Sequence, residues 1–470
     1  MAARAAPLEG CYLSAALSGA FLVSCLLFAA VGRALREPYM DETFHVPQAQ
    51  RFCEGRFSPA QWDPMITTLP GLYLLSAAVL RPAGWVLGWP ARVACSAWTL
   101  RLVNLLLGAG NLYLLHLLLR EVQPGRKAAS AARRVLSALT LAASPPLFLV
   151  TFLYYTEPGA VFFALAAHLM GLRGRHGAAA LLGLCAVLFR QTNAVWAAFC
   201  AGDAVAARLA AAWRAERRAR DGRRPGPLAP LRFAGAYAAA PRHLRALLRL
   251  TWPYAALGLL CGAFVLLNGG VAVGDRGSHE AVLHLPQLFY FLGFTLLCAW
   301  PHLLSPARVR AFLRAARRRP GLSCALAAGA LLAVGRCTHA HPYLLADNRH
   351  YTFYLWRRVL QRHAAVKYLL VPGYLFAGWS VADALRAKSV FWVAMFFACA
   401  GAVTVPHRLL EPRYFILPFL FFRLHAPLPA VSRLLCELAG YAAVNAATFY
   451  VFLYRPFRWP DSPDLQRFMW

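Results

Sequence analysis

An all-α polytopic membrane protein, folded as a single integral domain over residues 1–470, is the fold class this sequence predicts. Three observations carry that reading. Of 470 residues, 60% are hydrophobic and only 14% charged, whereas soluble domains are about 45–50% apolar even with glycine counted. The apolar residues gather into uncharged runs, among them residues 11–32, 250–273 and 281–307, each at or beyond the roughly 20 residues a helix needs to cross hydrocarbon. The runs are also continuous, unlike the alternating segments of about ten residues that mark outer-membrane barrels.

Taken in order, the first run is longer than the 7–15 residues of a secretory signal core and is expected to stay as an anchor. Shorter or comparable runs follow at 64–80, 102–119, 135–156, 158–172, 177–202, 321–335, 368–382, 389–407 and 438–454, which brings the expectation to about 12 spans. Polar residues break two of them, at Ser144-Pro145-Pro146 and at Arg190-Gln191-Thr192-Asn193. Irregular backbone survives at membrane depth only where protein or a water-filled cavity satisfies it. The run 177–202 reads either as one helix or as two meeting at Arg190–Asn193. With Arg126, Lys127, Arg133 and Arg134 inside, together with Arg173 and Arg175, the charges favour two helices and turn that break and Tyr154–Pro158 toward the same outer face.

A formal charge of +30 would suggest nucleic acid in a soluble chain. Here the arginines lie between apolar runs, eleven of them in residues 208–249 and six in 305–319, with no pattern of base-stacking aromatics. The expected partner is the lipid bilayer and not nucleic acid, and the basic loop 208–249 is expected to be cytoplasmic. With Arg4 also inside, the first run delivers residues 33–64 to the opposite, lumenal or external, face. That loop holds five of the nineteen acids: Glu37, Asp41, Glu42, Glu54 and Asp63. By alternation, residues 274–280, 339–351 and 406–413 emerge beside it. The twelve cysteines show no CxxC spacing and mostly lie inside apolar runs, Cys53 being the one clearly in a polar loop. Neither a disulfide framework nor a zinc site is expected.

The segment from Tyr39 to Gly55 fits an interfacial helix. Asp41 stands where a helix would begin and reads either as an N-cap or as a functional carboxylate. His45 lies four residues beyond Asp41 and three beyond Glu42, a spacing that allows a metal on one helix face, but no second histidine is nearby and no metal or cofactor is expected. Broken spans with intramembrane charge also suit a multispan transporter, and a non-catalytic channel accessory subunit is a third reading. The Asp41 loop has no second copy, and an acid-rich outer loop favours an enzyme.

Several blocks carry a resemblance. Tyr39-Met40-Asp41-Glu42 with His45 and Pro47-Gln48-Ala49-Gln50-Arg51, the stretch from Gln61-Trp62-Asp63-Pro64 to Leu72-Tyr73, Phe189-Arg190-Gln191-Thr192-Asn193, Leu344 through Tyr354, Arg413-Tyr414-Phe415-Ile416-Leu417-Pro418, and Gln466-Arg467-Phe468-Met469-Trp470 closely resemble the alpha-1,2-glucosyltransferase family of the endoplasmic reticulum. The likeness runs nearly end to end. The chain departs in texture, with 46 Arg against three Lys and alanine-rich spans, without touching the blocks. The resemblance implies a type C glycosyltransferase fold in the endoplasmic reticulum membrane with its active site facing the lumen. It implies transfer of the third, terminal glucose from dolichyl phosphate glucose to the dolichyl-diphosphate-linked oligosaccharide in alpha-1,2 linkage, the last step of precursor assembly for protein N-glycosylation. The family's key acid maps onto Asp41.

Chemistry agrees with that placement. A beta-linked donor and an alpha product require inversion in one displacement, so a base must take the proton of the acceptor 2-hydroxyl; Asp41 is the expected base, with Glu42 beside it. The leaving phosphate needs cations rather than a general acid. Arg349, His350, Arg413 and His341 are the candidates, against the alternative that Arg349 and Arg413 only anchor span ends. Trp62 and Asp63 are expected at the acceptor site unless Trp62 is a belt anchor. Glu157, Arg190, Gln191 and Asn193 are expected to line the sugar or acceptor cavity, with Glu157 as partner of the intramembrane Arg190.

Overall fold

The computed structural model describes residues 5–125, 128–219, 226, 229–277 and 280–470. Arg4, Arg126, Lys127, the centre of the basic loop 208–249, and Ser278 and His279 therefore lie outside the described residues. Most of the described residues are helical. Among the described residues, five helices are long and apolar enough to span a membrane: Leu8–Ala34, Ala97–Val122, Asn193–Arg218, Pro241–Asn268 and Val431–Tyr454. Shorter apolar helices run over Glu157–Leu172, His176–Phe189, Pro286–Cys298, Pro320–Arg336 and Val390–Thr404.

Local sequence sets the ends of these helices. Proline occupies the first turn at Pro241, Pro286, Pro306 and Pro320, where its missing N–H costs no hydrogen bond. The side chains of Ser96, Ser305 and Ser389 accept bonds from the backbone N–H of Thr99, Arg308 and Trp392, satisfying donors that the first turn leaves open. Gly269 ends the 241–268 helix in the left-handed region, with φ 71°, which suits glycine. The apolar run 64–80 becomes helical only at Gly71, because Pro64 and Pro70 break its start. A Cβ on Gly71 would lie 2.7 Å from the Leu188 carbonyl, so only glycine permits this helix crossing.

One expectation holds and two change. The run 177–202 is two helices, as the charges favoured: His176–Phe189 and Asn193–Ala219, parted at Arg190. The basic segment 208–249 is mostly helical where it is described, over parts of Asn193–Ala219, Ala229–Ala239 and Pro241–Asn268. Run 281–307 forms a helix only over Pro286–Cys298, followed by a short turn at Trp300–Leu303.

The core centres on a helix that apolar-run counting missed, Ile416–His425, all ten residues of which are buried. Its Phe421 stacks on Trp196 at 4.6 Å between ring centres, and Phe199, Trp392 and Phe396 complete the cluster. Arg413 lies in the turn Pro412–Phe415 that leads directly into this buried rod, so the arginine is fixed to a densely packed part of the bundle.

The cysteine reading is corrected at one pair. Cys53 and Cys95 form a disulfide that ties the Glu42–Cys53 helix to the start of the next span. Cys95 lies just beyond the short helix Ala91–Ala94, outside any span, where the polar-loop criterion overlooked it. With a sequence separation of 42, loop-closure entropy assigns the bond about 4 kcal/mol. Reduction, or replacing both cysteines by serine, is expected to lower the melting temperature of the purified chain by several degrees, read by tryptophan fluorescence.

Candidate active site

The loops expected on one face do converge there. Residues from 33–45, 65–68, 156–157, 190, 275, 343–349, 409–414 and 463–467 line one cavity of about 1090 Å³. Gln191 helps assemble it by donating to the Thr67 and Val271 carbonyls at 2.8 and 3.1 Å, and the Val273 N–H donates to the Thr67 carbonyl.

Asp41 sits at the N-cap position of the Glu42–Cys53 helix, yet its side chain makes no capping bond. The carboxylate is free for the cavity, where 38% of it is exposed and Oδ2 accepts from Arg413 Nη1 at 3.0 Å. Met40, with φ 56°, is the sole non-glycine residue with positive φ among the described residues. Such backbone costs roughly 1–3 kcal/mol and persists only where the surroundings hold it. Here the Thr43 hydroxyl donates to the Met40 carbonyl at 2.7 Å and the Tyr39 N–H to Glu42 Oε2 at 3.1 Å. The strained turn aims Asp41 toward Arg413.

Arg413 is the hub. It pairs with Asp41, with Glu411 and, at 3.4 Å, with Glu157, and lies over the Tyr155 ring at 5.2 Å. Arg190 binds the same Glu157 and lies over Tyr414 at 5.4 Å, so the expected Arg190–Glu157 partnership is present. Burial pushes the Asp41 carboxyl up, but the Arg413 guanidinium, helped by His45 and His350, outweighs burial and holds it below the ordinary carboxylate range. Burial depresses the neighbouring His45 against the pull of Asp41, and its Nδ1 bonds the Tyr73 hydroxyl at 2.6 Å.

Other candidates have different roles. Glu42, expected beside the base, is instead withdrawn from the cavity: it is fully buried, held by Arg101 through two bonds of 2.8 and 2.6 Å, and accepts the Tyr154 N–H at 2.7 Å. This also removes it from any metal face with His45. Removing one partner of such a buried pair costs about 3–5 kcal/mol, so Glu42→Gln should reduce the yield of folded protein while leaving the rate per folded molecule near normal, as size-exclusion profiles and specific activity would show.

Arg349 spends its fork on Asp347, at 2.8 and 2.7 Å, reaches Gln466 Oε1 at 2.8 Å, and lies over Trp459 at 4.6 Å. His350 Nδ1 bonds the Trp470 backbone oxygen at 2.7 Å. Burial raises the Asp347 carboxyl, but His350 and Arg349 pull it far below the ordinary range. Neither cation is free for a phosphate; both pin the C-terminal tail, whose strands Phe457–Arg458 and Leu465–Gln466 pair antiparallel. Arg467 in turn exchanges hydrogen bonds with the Tyr39 hydroxyl at 2.7 and 2.9 Å, so the tail braces the Asp41 loop. His341 caps the Pro342–Ala346 turn, accepting the Tyr343 N–H, and lies outside the cavity lining.

Trp62 and Asp63 line a separate shallow recess with Arg51 and Arg56; Trp62 donates to the Ile66 carbonyl and packs on Tyr73. Buried Asn193 donates to the Ala186 carbonyl at 2.8 Å, stitching the broken helices together. Sequence reasoning missed Glu411, Tyr414, Asp275, Arg33 and Arg36, all in the cavity lining. Glu411 lay two residues from a candidate arginine, a signal that could have found it. Arg33 and Arg36 are exposed and, among the described residues, have no ion-pair partner.

The chain matches the profile described as the DIE2/ALG10 family over residues 35–424. It is 58% identical to the Mus musculus "Dol-P-Glc:Glc(2)Man(9)GlcNAc(2)-PP-Dol alpha-1,2-glucosyltransferase", with 99% of this chain and 100% of that protein covered. A Homo sapiens protein of the same description is 57% identical at the same coverage. One from Arabidopsis thaliana is 32% identical over 94% of this chain and 96% of its own length.

Proposed function

We propose a function from one premise: this chain belongs to the DIE2/ALG10 family. It is a dolichyl-phosphate-glucose-dependent alpha-1,2-glucosyltransferase of lipid-linked oligosaccharide assembly. The observation that carries this is the end-to-end identity of 57–58% with relatives so described. Its substrates are a dolichol-linked glucose donor and a lipid-linked oligosaccharide acceptor.

The finer reading is that the fold is a type C glycosyltransferase of about 12 spans, set in the endoplasmic reticulum membrane with the Asp41 cavity facing the lumen. The acceptor is the diglucosylated oligosaccharide on dolichyl diphosphate. Its 2-hydroxyl gives its proton to Asp41 as its oxygen attacks the anomeric carbon of the donor glucose and the carbon–phosphate oxygen bond breaks, leaving dolichyl phosphate. Arg413 keeps Asp41 ionised and ready. Glu157 and Arg190 form the adjoining wall, where a sugar meets both a carboxylate and a guanidinium.

With Arg349 and His350 committed to the tail, the donor phosphate falls to Arg33 and Arg36. They line the cavity at the end of the first span, the depth at which a lipid phosphate sits, and the fork of arginine suits two phosphate oxygens. Replacing both by glutamine should raise the KM for donor about tenfold or more, as loss of charge-assisted bonds requires, and leave that for acceptor unchanged. An unchanged donor KM would return the phosphate to Arg413. The function itself is tested by reconstituting the purified chain with dolichyl phosphate glucose and a diglucosylated lipid-linked acceptor. Formation of the triglucosylated product is expected; its absence with both substrates present would contradict the reading.

A further inference from the structure

At the end of the bundle opposite Asp41 lies a second recess, of about 340 Å³. The helix placing its floor, Ile416–His425, starts beside Arg413 and ends here, and Val431–Tyr454 starts here and returns to the tail. The lining includes His302, Arg308, Arg386, Arg423, Arg433 and Asp383.

Two features distinguish it from a basic surface that merely sets topology. First, charge is uncompensated: four guanidiniums meet two carboxylates, Asp383 and the fully buried Glu437. Arg423 and His302 both bond Glu437, at 2.7 and 2.6 Å, and Arg308 and Arg386 share Asp383. Arg433 is exposed and has no ion-pair partner among the described residues. Second, three residues of this one lining hold buried polar atoms without a hydrogen-bond partner: Arg423 Nε, Arg308 Nε and His302 Nδ1. Arg423 is only 5% exposed. Buried polar atoms are nearly always satisfied, so three orphans clustered behind one recess mark a local excess of positive charge that the protein itself does not balance. Positive residues needed only for orientation would lie in solvent with their bonds met by water.

We propose that this recess binds a phosphate-bearing anion, either the headgroup phosphate of an anionic lipid or free phosphate. Arg433 and Arg386 contact it from the rim, the partly exposed Arg308 adds a third guanidinium, and the buried Arg423 contributes its charge from behind. The recess is large enough for a headgroup, basic pockets between membrane helices take such headgroups, and the arginine-rich helix Pro306–Arg318 flanks it with no buried residue.

The test uses the full chain and a variant at the exposed rim, Arg386→Gln with Arg433→Gln, which leaves the buried Arg423–Glu437–His302 network intact. Wild type and variant are placed in phosphatidylcholine nanodiscs with or without phosphatidylinositol, and retained lipid is read by native mass spectrometry. In parallel, inorganic phosphate is titrated calorimetrically into detergent-solubilised protein. A control, Arg317→Gln with Arg318→Gln, removes the same charge elsewhere on the basic helix. Retention of phosphatidylinositol over phosphatidylcholine that falls about tenfold in the rim variant but not in the control supports a headgroup. Phosphate binding lost in the rim variant, with no lipid preference, supports free phosphate. Equal loss in the control, equal retention in all three, or no binding in either arm overturns the site.

Discussion

Asp41→Asn should reduce glucose transfer by about 10²–10⁴ while the protein still inserts, folds and binds donor. The substitution keeps the size of the side chain and one acceptor oxygen for Arg413, but an amide cannot take a proton at neutral pH. The carboxylates nearest to it are already committed. Glu157 and Glu411 are engaged by Arg190 and Arg413, and Glu42 is sealed against Arg101. Initial rates at saturating substrates, with the melting curve as a control for folding, decide the matter. A rate within threefold of wild type would make a neighbouring carboxylate the base.

Arg413→Ala should be nearly as damaging, for a different reason. The guanidinium compensates three carboxylates at once, Asp41, Glu157 and Glu411, and it is what outweighs burial at Asp41. Without it burial dominates and the Asp41 carboxyl titrates at higher pH. The direction fixes the pH dependence. In the wild type Asp41 stays ionised, and competent as a base, down to below the ordinary carboxylate range, so no acid limb from this residue is expected between pH 5 and 8, on the scale of about 3.9 for a free aspartate. In Arg413→Ala the acid limb should move to higher pH than in the wild type, because protonated Asp41 cannot accept. Arg413→Lys keeps a charge but loses the fork that reaches several carboxylates, and should show an intermediate limb. A pH–rate profile in Arg413→Ala that is scaled down yet parallel to wild type would mean that Arg413 does not set the ionisation of Asp41.

Much of this site was legible in the sequence, for physical reasons. Arg190 stands in a polar break between apolar runs, and a charge there must face a cavity or a partner; Glu157 lies in the Tyr154–Pro158 segment expected at the same face, and the two meet. Alternation of spans brought four separated loops to one cavity without any pairwise contact being known. What escaped were long-range pairings that leave no local mark. Arg101 borders an apolar run and gives no sign that it neutralises Glu42, so nothing local told that of two adjacent carboxylates Asp41 opens to the cavity and Glu42 is sealed. The fork of Arg349 matched a phosphate as well as it matches Asp347, and only the fold chooses between them. The Ile416–His425 helix is too short to read as a span because it need not cross lipid; it is covered on every side by protein.

The central claim is that one carboxylate, Asp41, drives a single inverting displacement in this cavity. The anomeric configuration of the transferred glucose tests it most directly, determined by NMR of the product made from beta-configured dolichyl phosphate glucose, with intact-mass analysis of the chain during turnover. The account expects an alpha linkage to the 2-hydroxyl and no glucosylated enzyme. A beta-linked product, or a glucosyl adduct trapped on Asp41, would contradict it.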